Sequence, residues 1–537
     1  MHKLTVERKR EKPNSWSRFQ HYFNDYCEHS SIIGFNYVAE KRSKGERILW
    51  ITLIIIATAL SIYFIMEQYN KYDENPFIVS LATRETPIFQ IPFPAITICP
   101  FTKTSKYLFN FTDVVHRLWD NISVSESEIQ IAQYMSMICD DDNLDNGVTE
   151  YIPEIPHFNE TFYERLDKLN PTSTLIDSSF CEYMGEKFDC LEYFSPIILD
   201  AGICYTFNML NRDEIFKSNV HHYSDFHSGI LTSDWDNDDG YRKGTGQEAY
   251  PLRALLAGAD NSFDLIIMAL SGDSDPLCSI DVGYSVTVHT PHSIPKTKKD
   301  YFILPLGSST TVIVTPNVMS TSATVKRYKT KDRKCYFSDE RILHYFVSYT
   351  QGNCYLECFT NYTLQKCGCV HFYMPHEKDT PICGNYQRNC LKEAESELKT
   401  LEIEVAMGLK EDSLSCNCYP LCSQLTYQTS ISRTQWEWKE YYKAHKKLRK
   451  ELNFSDDLTN ELQFSRLKIY FKDDLFFSYE KNELYGIFDF ISNFGGLLGL
   501  FTGFSLLTVA EIIYYISVRM WCNKKLYNDI SGPPDSD

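Results

Sequence analysis

The sequence predicts an α+β membrane protein in which two transmembrane helices flank one large, disulfide-rich outer domain. Three observations predict it. Two apolar runs, 48–66 and 486–518, lie near the ends of the 537-residue chain, with a long and mostly polar stretch between them. Sixteen of the 18 cysteines fall in that stretch, leaving only Cys27 and Cys522 outside it. Basic residues crowd the chain just before the first run and just after the second.

Residues 1–47 carry ten Lys and Arg against six acids, a net +4 in a chain whose overall charge is −18. The string KRSKGER abuts the first apolar run, and the positive-inside rule then places this segment in the cytosol. Residues 48–66, ILWITLIIIATALSIYFIM, contain no charge and have about the length that a bilayer core requires. They begin too far into the chain for an ordinary signal peptide, and no small-residue cleavage pattern follows. A second span at 486–518 returns the chain to the cytosol, where Arg519, Lys524 and Lys525 flank the exit of segment 519–537. Residues 67–485 therefore face outward, at the plasma membrane, with both termini inside.

Cysteine usage agrees, since an oxidising compartment pairs cysteines that the cytosol keeps reduced. So do the N-x-S/T sequons, at Asn110, Asn121, Asn159, Asn361 and Asn453, all within 67–485. The outer domain holds nearly all the acidity, which excludes a nucleic-acid binder because its bulk would repel phosphate.

Within the outer domain, SVTVHT (285–290), STTVIVT (309–315) and RLKIYFKDD (466–474) alternate like strands. The stretch from Ser338, SDERILHYFVSYTQGNCYLECF, places apolar residues at helical spacing after a partial capping signal. KEAESELKTLEIEVAMGLKED reads as an amphipathic helix and WKEYYKAHKKLRKEL as a surface helix with a basic stripe. Residues 210–262 are acidic and poorly periodic, as expected of an insertion or long loops. The close pairs Cys354/Cys358, Cys367/Cys369 and Cys416/Cys418 have no standard zinc-ribbon spacing, and their compartment favours disulfides over metal. DWDNDDG, from Asp234, starts like a calcium loop, but its sixth position is Asp239 and its twelfth Thr245, so a solvated acidic loop is the simpler reading. The histidines His221, His222 and His227 lack a companion motif. No nucleophile-elbow, Walker or zincin pattern occurs, HEKDT at His376 lacking the second histidine. The reading is a protein with no enzyme activity, catalytic residue, metal site or cofactor.

The second apolar run is unlike the first. It is 33 residues long, about 50 Å as a helix against a core of ~30 Å. It holds the carboxylates Asp489 and Glu511, which at membrane depth normally face water or a partner. Gly495, Gly499 and Gly503 recur every four residues, with Ser492 and Gly496 beside them. Such a stripe permits close helix packing. It also suits a pore, because unwinding near Gly503, Phe504 and Ser505 exposes carbonyls, tolerated at that depth only along a cavity or inside protein. Carbonyl and acidic rings are the usual materials of cation pathways. Two spans cannot enclose a pore, so a pore requires an oligomer.

Six strings then carry a family resemblance: FPAITICP (93–100), GICYTFN (202–208), RKCYFSDE (333–340), NCYLECFTNYTLQKCGCVHFYMP (353–375), CNCYPLC (416–422) and SNFGGLLGLFTGFSLLTVAEIIYY (492–515). Together they resemble the degenerin/epithelial sodium channel family, most of all its insect pickpocket branch. The 210–262 region matches poorly. The resemblance implies a voltage-insensitive, amiloride-sensitive, sodium-selective channel with a sensory or epithelial role. It implies a trimer in membrane lipid, of like or mixed subunits, with a hand-shaped outer domain: β palm and β-ball, with helical finger, thumb and knuckle. It implies a selectivity filter at Gly503, Phe504 and Ser505, and a pore lined by Asp489, Ser492, Gly495, Gly499 and Glu511. Gating positions fall at Gly34 and Ser492. Where the family has His-Gly, this chain has Ile33-Gly34, so only the glycine carries over. The family's nested bridges become Cys335–Cys422, Cys354–Cys418, Cys358–Cys416, Cys367–Cys390 and Cys369–Cys383, joined by Cys99–Cys204 and Cys181–Cys190. Cys139 and Cys278 are left to pair with each other.

Two other classes share the two-span plan. An ATP-gated trimeric receptor-channel needs clustered outer lysines for phosphates, whereas the basic stripe here is confined to one helix near Lys446. A scavenger-type receptor or ectoenzyme has no use for carboxylates and a glycine stripe in its second span.

Overall fold

The computed structural model describes residues 15–527, apart from 41–42, 75, 140–146, 160, 171–179, 222–231, 238–239, 247, 412–414, 446–460 and 485. His222, His227, Lys446 and the sequon at Asn453 lie outside the described residues, as do parts of the basic leader and of the Asp234 loop. The chain forms two compact units, residues 79–481 and residues 1–78 with 482–537.

The larger unit is built on two sheets. The eight-stranded sheet runs in the order Phe77–Pro87, Leu475–Glu483, Ser308–Thr321, Leu462–Phe471, Phe263–Leu270, Phe180–Tyr183, Glu186–Phe188, and Gln424–Gln435 pairs with Ser308–Thr321. Phe263–Leu270 alternates buried and half-buried along its whole length, the period-two pattern of a strand with one face on the core. The five-stranded sheet runs Phe302–Leu304, Tyr284–His289, Ala95–Pro100, Gly202–Phe207, Phe194–Leu199. Its central strands Ala95–Pro100 and Gly202–Phe207 are buried at every position, hence covered on both faces and apolar without alternation. Phe93, Phe207, Phe263, Tyr284, Val312 and Phe471 share one core cluster. The three alternating strings of the sequence lie in or across Tyr284–His289, Ser308–Thr321 and Leu462–Phe471.

One sequence expectation is corrected here. The helix expected from Ser338 begins at Gln351 and runs to Cys367. Thr350 caps it, accepting the Asn353 N–H at 3.0 Å, and Gly368 ends it at φ 74°. Upstream, the His344 and Tyr345 N–H groups donate to Glu357, and the Val347 N–H to the Ile215 carbonyl, so these donors cannot close helical turns. The apolar spacing there reflects burial of Leu343, Tyr345, Phe346 and Tyr349 in a second core. That core also takes Ile215, Phe216, Val220 and Tyr250, so the described part of 210–262 is irregular but packed. Asp234 and its neighbours form a short hairpin, Trp235–Asp236 with Gly240–Tyr241, in which Asp234 accepts the Tyr250 N–H.

Eight disulfides tie the unit. Cys99–Cys204 joins neighbouring strands, Cys181–Cys190 ties the Phe180–Tyr183 strand to the short helix Cys190–Tyr193, and Cys139–Cys278 sits in the core beneath the helices Phe111–Trp119 and Glu126–Ile138. Cys335–Cys422, Cys354–Cys418, Cys358–Cys416, Cys367–Cys390 and Cys369–Cys383 nest, with Cα separations between 5.0 and 5.9 Å. Cys354 and Cys358 are one helical turn apart and so share a face, which fixes the Gln351–Cys367 helix in rotation as well as position. Each bridge typically contributes about 2–4 kcal/mol by restricting the unfolded chain. The helix Arg388–Ala406 lies against it, burying Leu391, Ala394 and Leu398.

His289 and His292 are expected to weaken this unit in acid. His289 lies 2.8 Å from the Thr97 hydroxyl, and His292 packs near Trp235 with its Nδ1 buried and without a partner among the described residues. Burial pulls both from the usual 6.5 down to about 4, with Asp236 a smaller opposing influence on His292. Between about pH 6.5 and pH 4 the unfolded chain binds more protons than the folded one, so stability falls as pH falls through that window, by roughly 3 kcal/mol per histidine at most. The thermal midpoint of the wild type is expected to drop steadily from pH 6.5 to pH 4, and that of the His289→Gln, His292→Gln double variant to drop less. Parallel curves would show that other groups govern acid unfolding.

The smaller unit is helical. Lys44–Glu74 is one 31-residue helix, long and apolar enough to cross a membrane. Phe488–Thr502 and Leu506–Leu526 are long and apolar enough to do so only together, and they are bent by 72° across a three-residue break. Aromatic contacts join the first helix to this pair, Phe64 stacking on Phe501 at 5.7 Å and Tyr72 meeting Phe490 at 5.3 Å. The expected span at 486–518 is thus two helical pieces rather than one rod.

Candidate functional site

The break is built from Gly503, Phe504 and Ser505. Gly503 adopts φ 67°, the left-handed region where glycine has no steric penalty, and its N–H donates to the Gly499 carbonyl at 3.0 Å. The Phe504 N–H reaches the Leu498 carbonyl at 3.4 Å, which closes the first helix. Ser505 then opens the next. Its Oγ accepts the Thr508 N–H at 3.3 Å, while Thr508 Oγ1 accepts the Ser505 N–H at 3.1 Å. Among the described residues, no donor reaches the carbonyls of Gly503 or Phe504.

The N-terminal segment lies against this break. The Ile33 N–H donates to the Thr502 carbonyl at 3.1 Å. A β-carbon on Gly503 would fall 2.6 Å from Ile33 Cγ1, so the close approach itself requires glycine. Gly34, at φ 96°, turns the chain into the Phe35–Ala39 helix, and a β-carbon there would lie 3.1 Å from Ile54. Ser31 Oγ lies 2.9 Å from Thr508 Oγ1 and donates to Glu511 Oε2 at 2.7 Å; the Ser31 N–H donates to the same oxygen at 3.3 Å. Glu511 Oε1 is buried without a hydrogen-bond partner among the described residues. One helical turn on, Tyr22 donates to the Tyr515 carbonyl at 2.5 Å, and Arg519 pairs with Asp25 at 2.7 Å while lying over the Tyr515 ring.

The structure separates the sequence-derived site residues into groups. Gly499, Gly503, Phe504, Ser505, Glu511 and Gly34 gather at or next to the break. Ser492, Gly495 and Gly496 sit on an exposed stretch of the Ile487–Thr502 helix, and a β-carbon on either glycine would meet nothing within 4 Å. Asp489, also exposed, accepts the Gly486 N–H at 3.0 Å and so caps the helix start. The sequons at Asn110, Asn121, Asn159 and Asn361 are exposed. Sequence reasoning missed Ser31, Thr508, Tyr22 and the Asp25–Arg519 pair. One signal was present: a carboxylate at depth needs a donor, and the hydroxyls of Ser30 and Ser31 precede the Ile33-Gly34 turn.

The sequence model of the amiloride-sensitive sodium channel family matches residues 26–515. Pickpocket protein 28 of Drosophila melanogaster is 28% identical over 508 residues, covering 93% of this chain and 78% of that protein. Sodium channel protein Nach of Drosophila melanogaster is 23% identical over 517 residues, with 94% and 88% covered. The human bile acid-sensitive ion channel is 23% identical over 517 residues, with 95% and 88% covered.

Proposed function

This chain belongs to the amiloride-sensitive sodium channel family and is therefore a cation-channel subunit of the plasma membrane rather than an enzyme; from that premise we propose that it assembles with two further subunits, like or related, into a sodium-selective, voltage-insensitive, amiloride-blocked pore. In this reading 1–47 and 519–537 are cytosolic, 48–66 and 486–518 span the membrane, and 67–485 face outward with glycans on the exposed sequons. The observation that carries it is the bent break. It leaves the carbonyls of Gly503 and Phe504 without donors among the described residues, supports them from behind with Ile33, and places the Ser505 hydroxyl at the start of the next helix. Three such breaks around an axis would form stacked rings of carbonyl and hydroxyl oxygen, the material that replaces water around a small cation. The exposed Ser492, Gly495 and Gly496 stretch supports close approach of neighbouring copies.

Ser505 is the test. Replacing it with Cys or Ala is expected to lower the sodium-to-potassium permeability ratio, read from reversal potentials in the two ions. A ratio unchanged in both variants would place the narrowest ring elsewhere.

A further inference from the structure

The larger unit contains a cavity of about 610 Å³ between the 294–300 turn and the helices Gln351–Cys367 and Arg388–Ala406. That volume lies within the ~300–1,000 Å³ of small-ligand clefts. Its inner wall is apolar, made by Ile294, Leu356, Phe359 and Tyr373. Its rim is basic, with Lys296, Lys298 and Lys299 all in the turn IPKTKKD. The turn is held in shape. The Lys299 and Asp300 N–H groups both donate to the Lys296 carbonyl at 3.1 Å, and Thr297 donates to Asp200. Gly352 lets the turn approach the helix, because a β-carbon there would lie 3.3 Å from Ser293 Oγ and 3.8 Å from Lys296 Cε.

The charges on this rim are unbalanced. Of the two carboxylates in the wall, Glu395 is balanced by an ion pair with Lys399 at 2.5 Å, while Asp200 accepts from the neutral Thr297 hydroxyl and keeps its charge. Asp200 and Asp300 together offset the three lysines only in part. Among the described residues none of Lys296, Lys298 and Lys299 makes an ion pair. Lys296 instead extends its ammonium over the Tyr355 ring, 5.4 Å from the centroid. Partial desolvation and the nearby Lys299 draw this amine below the ordinary lysine value. In a chain of net charge −18, three unpaired lysines around an apolar pocket run against the general charge balance.

We infer that this cavity is a binding site for an amphipathic organic anion, a compact apolar body carrying one sulfonate or carboxylate. The apolar body fills the wall of Ile294, Leu356 and Phe359, and the anionic group sits under the three lysines. Apolar burial supplies affinity, and the charged rim discriminates against neutral and cationic analogues.

The test uses the full-length protein in phosphatidylcholine nanodiscs, titrated calorimetrically with biphenyl-4-sulfonate and with its neutral isostere biphenyl-4-sulfonamide, against empty nanodiscs. Saturable sulfonate binding is expected, with the sulfonamide weaker by about tenfold or more. Lys296→Gln is expected to weaken the sulfonate about tenfold. The Lys298→Gln, Lys299→Gln double variant alters only exposed turn side chains, so it keeps the test independent of any folding defect at Lys296; it is expected to weaken binding severalfold. Absence of saturable binding, equal affinity for the two probes, or wild-type affinity in both variants overturns the inference. The readout is binding, so it does not depend on whether the protein conducts.

Discussion

A channel carrying Ser492→Phe is expected to conduct without a stimulus. Ser492 is exposed on the Ile487–Thr502 helix, next to Gly495 and Gly496, where a β-carbon would meet nothing within 4 Å. In a trimer this small-residue stretch is what neighbouring copies would close upon. A phenyl ring there overpacks the closed state, an effect that typically costs 1–3 kcal/mol, and three copies contribute together. At about 1.4 kcal/mol per tenfold, even a modest cost carries a closed-to-open ratio of roughly 100:1 to parity or beyond. Whole-cell current in the absence of stimulus, with and without amiloride, reads the outcome. Variant protein that reaches the cell surface and stays silent would remove Ser492 from the gate.

Gly503→Ala is expected to have the opposite effect and to abolish most of the current. Alanine at φ 67° costs about 1–2 kcal/mol. The new methyl must also displace Ile33, whose Cγ1 would stand 2.6 Å away. Displacing Ile33 pulls its N–H from the Thr502 carbonyl and loosens the support behind the break. The double variant Gly503→Ala, Ile33→Ala removes the collision but not the backbone cost, so it should recover part of the current. Surface labelling separates loss of conduction from loss of protein. A Gly503→Ala channel with wild-type current and selectivity would mean that the break does not shape the pathway.

The local features of this chain were legible where a residue's own chemistry decides them. Strands such as Ser308–Thr321 and Leu462–Phe471 show their alternation because one face of a sheet is buried. Gly503 marks the break because positive φ is cheap only for glycine. The start of the Gln351–Cys367 helix was misplaced for an equally physical reason. Leu343, Tyr345 and Phe346 are apolar because they enter a core, and their spacing imitates a helix that their backbone donors, engaged by Glu357 and Ile215, cannot make. Pairings across long separations left no local trace. Ser308–Thr321 lies parallel to Leu462–Phe471, and Ser31 meets Glu511 across 480 positions. Neither partner's immediate sequence records the other.

The hydroxyls beside the break have a polarity that their distances alone do not convey. An ionised Glu511 only accepts, so the hydroxyl proton of Ser31 is committed to it. Ser31 then has lone pairs but no proton left for Thr508, 2.9 Å away, and Thr508 must be the donor in that pair. Thr508 in turn can only accept from Ser505, whose oxygen lies 3.2 Å from it. A single carboxylate therefore orders three protons in sequence, Ser505 to Thr508 to Ser31 to Glu511, and the wire crosses from the second apolar segment to the N-terminal leader and back. The direction in which Ser505 presents its proton or its lone pairs is therefore set beyond Thr508, where Ser31 of the N-terminal leader meets Glu511 across 480 positions of sequence.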